Sequence, residues 1–253
     1  MVTIILTTSA LLAVLERDRR LCFRPSSLFR NYFISDLVYL LTGFVGAGLL
    51  ASAYVGFATE WLGESLRLPR LAALDLPLWI SVPPALFALD AGNYLVHYFL
   101  HRLEPLWEFH KVHHSSLTLD WLATFRSHIF EQILRHLLAP VLLILVGFPT
   151  DAILIAGGVF IAWAMFNHSN LQINLRFLEP VLVTPSLHRA HHLDEMKVRN
   201  LGTVFSFWDR MRGTLTHIEI DDASRFGNGE DSYPQAWLSQ FFEPVLGIGR
   251  KVK

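Results

Sequence analysis

Five apolar segments dominate the pattern of hydrophobic and polar positions along the chain. They cover residues 2–15, 37–58, 76–100, 133–148 and 152–166. All five are expected to be helical, because an unpaired backbone group in hydrocarbon is costly and the chain lacks the strict alternation of a membrane barrel. The first segment is short for a full crossing. We expect it to be a retained anchor, since neither a basic start nor a small-residue cleavage site indicates a signal peptide.

The connections between these segments predict a topology. Only residues 149–151 separate the last two segments, which indicates a tight helical hairpin. Five arginines lie between residues 17 and 30, and the C-terminus is also basic, so both regions are expected to be cytoplasmic. Residues 101–128 and 168–217 then emerge on that same face. The pattern predicts an all-α integral membrane bundle of about four transmembrane helices with a cytoplasmic, helical, histidine-rich layer.

Composition agrees with a membrane location and narrows the chemistry. Hydrophobic residues make up 52% of the chain and charged residues only 17%, which is outside the usual soluble range. The formal net charge of −1 offers no basic field for nucleic acid, and none is expected as a partner. The single cysteine, Cys22, excludes an internal disulfide and a thiolate metal site within one chain. Histidine, with 12 copies, is left as the candidate metal ligand.

The histidines concentrate in three clusters. Residues 97–101 read H-x-x-x-H, and residues 110–114 and 188–192 each read H-x-x-H-H. On a helix, side chains three and four positions apart share one face, whereas adjacent side chains point about 100° apart. Each H-x-x-H-H motif, called a triplet below, can therefore serve two neighbouring metal ions. Neutral imidazole suits iron, zinc, copper and nickel, so the ligand type does not choose the metal.

One further histidine joins the predicted ligands. His168 ends an apolar segment, and an ionisable side chain at a membrane boundary is a candidate for function. His136 and His217 stand apart from the clusters and are assigned ordinary structural positions. The predicted metal ligands are His97, His101, His110, His113, His114, His168, His188, His191 and His192.

Other residues around the histidines are similar to the signature of a known family. The motifs are D-x-x-x-Y-x-x-H at 90–97, L-W-x-x-H-x-x-H-H-S at 106–115, H-S-N at 168–170, N-x-G at 200–202 and W-D-R-x-x-G-T at 208–214. In order and spacing they resemble the fatty acid hydroxylase and sterol desaturase superfamily. Three positions depart from its pattern: Ile129 replaces a proline, and Tyr98 and Arg212 stand where an arginine and a phenylalanine are usual.

The resemblance implies a membrane oxidoreductase with a dinuclear iron centre. Such an enzyme uses dioxygen and external electrons to hydroxylate or desaturate a C–H bond of a fatty acyl, sterol or related isoprenoid lipid. The nine histidines would hold two iron ions, although zinc could occupy the same ligands. Asp90 and His128 are expected to orient the ligands from outside, with a helix–helix hydrogen bond as the alternative for Asp90.

The resemblance also implies an electron donor and an organisation for the chain. The sequence has neither a dinucleotide-binding fingerprint nor a cysteine set for an iron–sulfur cluster, so a separate ferredoxin, b-type cytochrome or reductase is expected. Residues 1–253 are predicted to form one domain, with anchor helices in 1–89, the histidine-box catalytic core in 90–214 and a tail in 215–253. The expected location is a bacterial inner membrane or an ER-type membrane.

Three other interpretations remain open from the residues alone. A metal transporter would hold polar ligands near the middle of the bilayer, where Asp90 is the best candidate. A haem-binding electron carrier would face pairs of histidines across helices inside the membrane. A zinc hydrolase would use the same histidines, but zinc sites usually need only three or four ligands for each ion.

Overall fold

The described part of the chain is helical. The computed structural model describes residues 2–25, 27, 29–65, 71–195 and 198–251, and the only strand-like pairings among them are isolated bridges. The prediction of an all-α fold is confirmed. The helices are α1 Val2–Leu15, α2 Phe33–Tyr39, α3 Gly48–Ser65, α4 Leu78–Arg102, α5 Glu104–His114, α6 Ile129–Leu138, α7 Val141–Val146, α8 Thr150–His168, α9 Pro185–His191, α10 Phe207–Arg212 and α11 Trp237–Lys251.

Helix boundaries follow local sequence signals. Helix α7 ends at Gly147, whose φ of 69° is accessible to glycine at little cost, and α8 starts directly after Pro149. These two residues make the connection as short as the sequence indicated, but α7 and α8 each pack against α4 more than against each other. Helix α9 starts with Pro185 after Thr184, whose hydroxyl accepts a hydrogen bond from a backbone N–H of the first turn. A π-helical stretch, Leu40–Ala47, joins α2 to α3.

Three helical segments are long and apolar enough to cross a membrane. They are Phe33–Ala58, Ile129–Val146 and Thr150–His168, and the shorter Val2–Leu15 is also apolar. The chain is a membrane protein. The predicted span 76–100 does form a helix, α4, but this helix is not apolar enough to be counted with the other three. The reason is visible in the structure, because α4 buries polar side chains such as Asp90 and Asn93 on its inner face.

Helix α4 is the central helix of the bundle. It packs most extensively against α8 and also against α5, α6 and α7. It approaches the junction of α6 and α7 very closely at Gly92, where a Cβ atom would overlap the carbonyl oxygen of Ala139. The ends of α1, α4 and α8 and the starts of α2 and α6 meet at one side, and α5 and α9 pack there, whereas α10 lies against the middle of α4 through Trp208 and Asp90.

We predict that Gly92→Ala destabilises the protein. A methyl group at this position must push α4 away from Ala139, and such overpacking typically costs about 1–3 kcal/mol. The measurement is the thermal unfolding midpoint of the purified protein in detergent. The matched control is Gly157→Ala in α8, where a Cβ meets nothing within 4 Å. An equal drop in both variants would contradict the close approach at Gly92.

Candidate metal centre

Four helices bring all nine predicted histidines together in the interior. His97 and His101 lie on the last turns of α4, the first triplet ends α5, His168 ends α8, and the second triplet lies on and just after α9. The ligand nitrogens form two groups, and within each group they lie within 4.8 Å of one another. Group one contains His97, His101, His110, His114 and His191, and group two contains His113, His168, His188 and His192.

Each triplet is divided between the two groups. In α5, His110 and His114 are four residues apart and belong to group one, whereas His113 belongs to group two. In the second triplet the division is reversed, with His188 and His192 in group two. At 100° per residue, the last histidine of each triplet points about 40° from the first, whereas the middle one points about 60° away on the other side, so helix geometry allows this division. The groups adjoin, since the His114 and His192 rings stack with centroids 4.4 Å apart.

The nitrogen separations suit ligands of one ion. The Nε2 atoms of His97 and His110 are 3.1 Å apart, and in group two the Nε2 atom of His188 lies 3.0 Å from that of His168 and 3.1 Å from that of His192. Nitrogens about 2.0–2.1 Å from a shared ion lie roughly 3 Å apart in tetrahedral or octahedral geometry. These imidazoles therefore have the spacing of a ligand set.

Five imidazoles are held from outside through Nδ1. Nδ1 of His97, His113 and His191 lies 2.8–3.0 Å from the carbonyl oxygens of Leu201, Arg126 and Arg199, respectively. Nδ1 of His168 lies 2.9 Å from the Ala164 carbonyl oxygen, and Nδ1 of His110 lies 3.0 Å from a carboxylate oxygen of Glu131. An Nδ1–H that donates outward leaves the lone pair on Nε2 directed inward, which is the usual arrangement of metal-bound histidine.

Several inward nitrogens have no protein partner. Nε2 of His101, His114 and His191 is buried and accepts no hydrogen bond within the described residues. A buried nitrogen without a partner costs free energy, so such atoms require an explanation. All three belong to group one. A bound metal ion would satisfy them, and the residues present therefore fit a metal site.

Burial keeps these histidines in the form that binds metal. Desolvation lowers the pKa of His110, His113 and His114 well below the ordinary value for histidine, and neighbouring imidazoles lower it further. Burial likewise lowers the pKa of His191 to about 3. The imidazoles are thus neutral near neutral pH, so protons do not compete with a metal for Nε2.

Glu131 is a site residue that the sequence interpretation missed. Its Oε1 atom accepts from Nδ1 of His110 and from Nε of Arg135, at 3.0 and 2.8 Å. Arg135 also donates to the side chain of Asn93, which in turn donates to Thr203. Residues 126–131 read R-x-H-x-x-E and contain both His128 and Glu131. This spacing was the sequence signal from which the role of Glu131 could have been predicted. The carboxylate three residues beyond His128, not His128 itself, contacts a predicted ligand.

Asp90 acts differently from the prediction that it orients an imidazole. Its carboxylate accepts from the backbone N–H groups of Val204 and Phe205 and from the indole of Trp208, at 2.8–3.0 Å. Only the Trp208 contact is of the helix–helix kind given as the alternative, because Val204 and Phe205 lie in the loop before α10. Asp90 holds the loop 199–205, whose carbonyl oxygens at Leu201 and Arg199 contact His97 and His191. Its influence on the imidazoles is indirect.

Asp209 and Asn200 hold the same loop from its other side. The Asp209 carboxylate accepts from the backbone N–H groups of Leu201 and Gly202, at 2.9 and 2.7 Å. Asn200 has a left-handed backbone, with φ of 50°, and its side chain donates to the carbonyl oxygen of Leu187 in α9. The short motifs N-x-G and W-D therefore fix the loop that presents carbonyl oxygens to the histidines.

His128 was predicted to orient the ligands from outside, and the structure instead shows it in contact with α6 and α11. Its Nδ1 accepts from the backbone N–H of Phe130 and caps α6, and its Nε2 lies 3.1 Å from the carbonyl oxygen of Phe241 in α11. A cap position is a sufficient structural reason for this histidine. Neither His136 nor His217 belongs to the two groups, and His217 lies beside Glu179.

Comparison with known proteins agrees with this geometry. The model of the family described as fatty acid hydroxylase matches residues 82–214, which contain all nine histidines. The chain belongs to the fatty acid hydroxylase family. No solved structure matches the chain. Two of the three positions that differ from the family pattern, Tyr98 and Arg212, contact each other, since the Arg212 guanidinium lies 4.0 Å from the centre of the Tyr98 ring.

Curated relatives that the chain matches include two kinds of lipid enzyme. Ornithine lipid hydroxylase OlsE from Rhizobium tropici is 28% identical over 177 residues, which are 69% of this chain and 53% of that protein. Alkylglycerol monooxygenase from Danio rerio is 33% identical over 192 residues, 66% of this chain and 40% of that protein. The human alkylglycerol monooxygenase is 27% identical over 164 residues, 61% and 34% of the two chains. The chain thus spans about half of these relatives or less.

We predict that Glu131→Ala weakens metal binding. Without the carboxylate, the Nδ1–H of His110 and the guanidinium of Arg135 lose their shared acceptor, and loss of such a contact typically lowers metal affinity about 10–100-fold. The measurement is competition for metal with a chelator of known affinity. Glu131→Gln, which retains an acceptor oxygen, should lose less. The control is Glu219→Ala, whose side chain is 94% exposed. Unchanged affinity in Glu131→Ala would contradict the role assigned to this carboxylate.

Proposed function

We propose that this member of the fatty acid hydroxylase family is a membrane di-iron oxygenase that hydroxylates a C–H bond of a lipid. The observation that carries the proposal is the pair of adjoining groups of five and four histidines. They lie at the end of a bundle whose helices include three that are long and apolar enough to cross a membrane. Its family and the lipid hydroxylase and monooxygenase relatives support the same chemistry. The relatives favour hydroxylation over the desaturation that the sequence left open.

The chain's own residues would prepare the site for two iron ions. Group one and group two would each hold one ion through Nε2 atoms, while the outward Nδ1 contacts keep each ring in its orientation. The iron ions, when bound, would supply the redox chemistry that activates dioxygen, which no amino acid side chain supplies. Burial of the imidazoles excludes water from the reacting centre and keeps the ligands neutral.

The position of the two groups at helix ends leaves a route for a lipid substrate. The histidines end α4, α5 and α8, so a lipid tail could approach them from between the apolar helices. Positioning one carbon beside the metals would then decide which bond reacts. Electrons would come from a separate ferredoxin, b-type cytochrome or reductase. By the distribution of basic residues, the histidine side would face the cytoplasm of a bacterial inner membrane or an ER-type membrane.

The other interpretations fit this geometry less well. A bis-histidine haem needs axial nitrogens about 4 Å apart, roughly twice an iron–nitrogen bond, with a macrocycle between them, whereas opposing Nε2 atoms here are 3.0–3.2 Å apart. A transporter would hold its ligands near the bilayer midplane, but the histidines lie at helix ends. Five ligands in one group exceed the four of a typical zinc site.

The direct test is a single turnover of the full chain. Protein loaded anaerobically with ferrous iron already holds the electrons that one turnover needs, so no donor protein is required. It is mixed with heavy-isotope dioxygen in membranes of its host or in ether-lipid and aminolipid vesicles, and the lipids are analysed by mass spectrometry. Hydroxylation predicts a lipid with one labelled oxygen atom. A lipid that has lost two hydrogens without label would instead indicate desaturation, and absence of both products would refute the proposal.

We further predict that His113→Ala and His191→Ala abolish this turnover. His113 belongs to group two and His191 to group one, so each Ala variant removes one ligand nitrogen from one group. Metal analysis should show reduced metal in both variants. His217→Ala is the matched control, because this half-exposed histidine lies beside Glu179 outside both groups. Full metal content in either ligand variant would show that the two histidine groups are not the metal ligands.

A further inference from the structure

The C-terminal helix α11 carries an apolar face that the protein does not cover. This helix, Trp237–Lys251, follows the end of the family match at residue 214 and lies in the segment that the sequence suggested to be a tail. Its inner face buries Gln240, Pro244 and Gly247. The remainder of its circumference is divided into two sectors of different chemistry, which indicates two different surroundings.

The larger outward sector is apolar. At 100° per residue, Leu238, Phe242 and Val245 point within about 60° of one another, with Phe241 and Leu246 on the flanks. Leu238 and Val245 are 62% and 63% exposed, and the other three are also exposed. The smaller sector contains Ser239, Glu243 and Arg250, again within about 40°. A helix with one buried, one polar and one exposed apolar face has the pattern of an element at a membrane surface.

Contacts of α11 put it at the level where the membrane helices begin. The backbone N–H of Trp237 donates to Ser35, and the Gln240 side chain accepts from the Tyr39 hydroxyl. Ser35 and Tyr39 lie about 3 and 9 Å along the candidate span that starts at Phe33, at 1.5 Å per residue. The carbonyl oxygen of Phe241 contacts His128, the residue that caps a second candidate span. Helix α11 therefore lies beside the starts of two candidate membrane spans.

The charges of α11 indicate how it would bind. Arg250 pairs with Glu243 on the same helix, and Lys251 lies 2.7 and 2.9 Å from carboxylates of Glu104 and Glu108 in α5. Both cations are thus neutralised within the protein. Attraction to anionic headgroups would be small, and burial of apolar side chains would supply the binding free energy.

We propose that α11 lies in the plane of the membrane surface, with Leu238, Phe242 and Val245 inserted among the lipid chains. Its inner face holds the layer that carries the first triplet, because Gln240 donates to the hydroxyl of Ser115, next to His114. The helix thereby sets the height of the histidine layer over the bilayer. The inference depends on the membrane location and on no property of the metal centre.

Depth-resolved quenching of a fluorophore tests this proposal. The only cysteine, the buried Cys22, is replaced by alanine, and single cysteines are introduced as Val245→Cys in the apolar sector and Ser239→Cys in the polar sector. A small environment-sensitive fluorophore is attached to the full chain in phosphatidylcholine nanodiscs. Lipids that carry a spin label near the headgroup and aqueous iodide serve as quenchers. Leu238→Cys is a second apolar position, in case Val245→Cys fails to fold.

The ratio of lipid quenching to iodide quenching should be at least about twofold higher at residue 245 than at residue 239, because an interfacial helix inserts its apolar face about 5–10 Å. Addition of phosphatidylserine should leave this ratio unchanged. Equal ratios at the two positions would overturn the proposal. Protection of residue 245 from both quenchers would also overturn it, since that result indicates a second copy of the chain on this face. Dependence of the ratio on phosphatidylserine would overturn the apolar basis of binding.

Discussion

The structure depends on the need to satisfy buried imidazoles. A buried histidine nitrogen without a partner costs free energy, and here nine such rings are packed within contact of one another. Where a ring is bonded through Nδ1, its other nitrogen is left for the interior, whereas Nδ1 of His188 and of His192 has no partner among the described residues. Five Nδ1 atoms are bonded in this way, four of them to backbone carbonyl oxygens. The surrounding backbone must consequently be held in conformations that expose those carbonyl groups.

That requirement explains much of the hydrogen bonding around the site. Loop 199–205 presents two carbonyl oxygens, and it is held by the carboxylates of Asp90 and Asp209, one from each side. Asn93 and Arg135 connect the loop to Glu131, the acceptor for His110. Polar side chains that lower the hydropathy of α4 are thus part of the same network. A helix that serves the metal centre in this way cannot be uniformly apolar.

Elements outside the family match complete the layer. Arg126, whose carbonyl oxygen contacts His113, pairs through its guanidinium with Asp36 at the start of the first candidate span. Asp36 also pairs with Arg30, which reaches Asp120. All four side chains are nearly buried, and loss of one partner from such a cluster is strongly destabilising. The N-terminal third of the chain is therefore coupled to the histidine layer by electrostatics as well as by membrane packing.

The sequence by itself determined the helical class, the membrane location and the histidine motifs that supply the candidate ligands. Apolar segment length and the three- and four-residue histidine spacings are local properties, and helix geometry converts them directly into faces. The tertiary structure alone decided which side chains surround the ligands. Glu131 contacts His110 across 21 residues of sequence, and Asp90 reaches Val204 across 114. It also decided that His128 caps a helix and that residues 237–251 form a helix with an uncovered apolar face. These features depend on how helices that are distant in sequence pack together, and that packing cannot be predicted from a local pattern of residues.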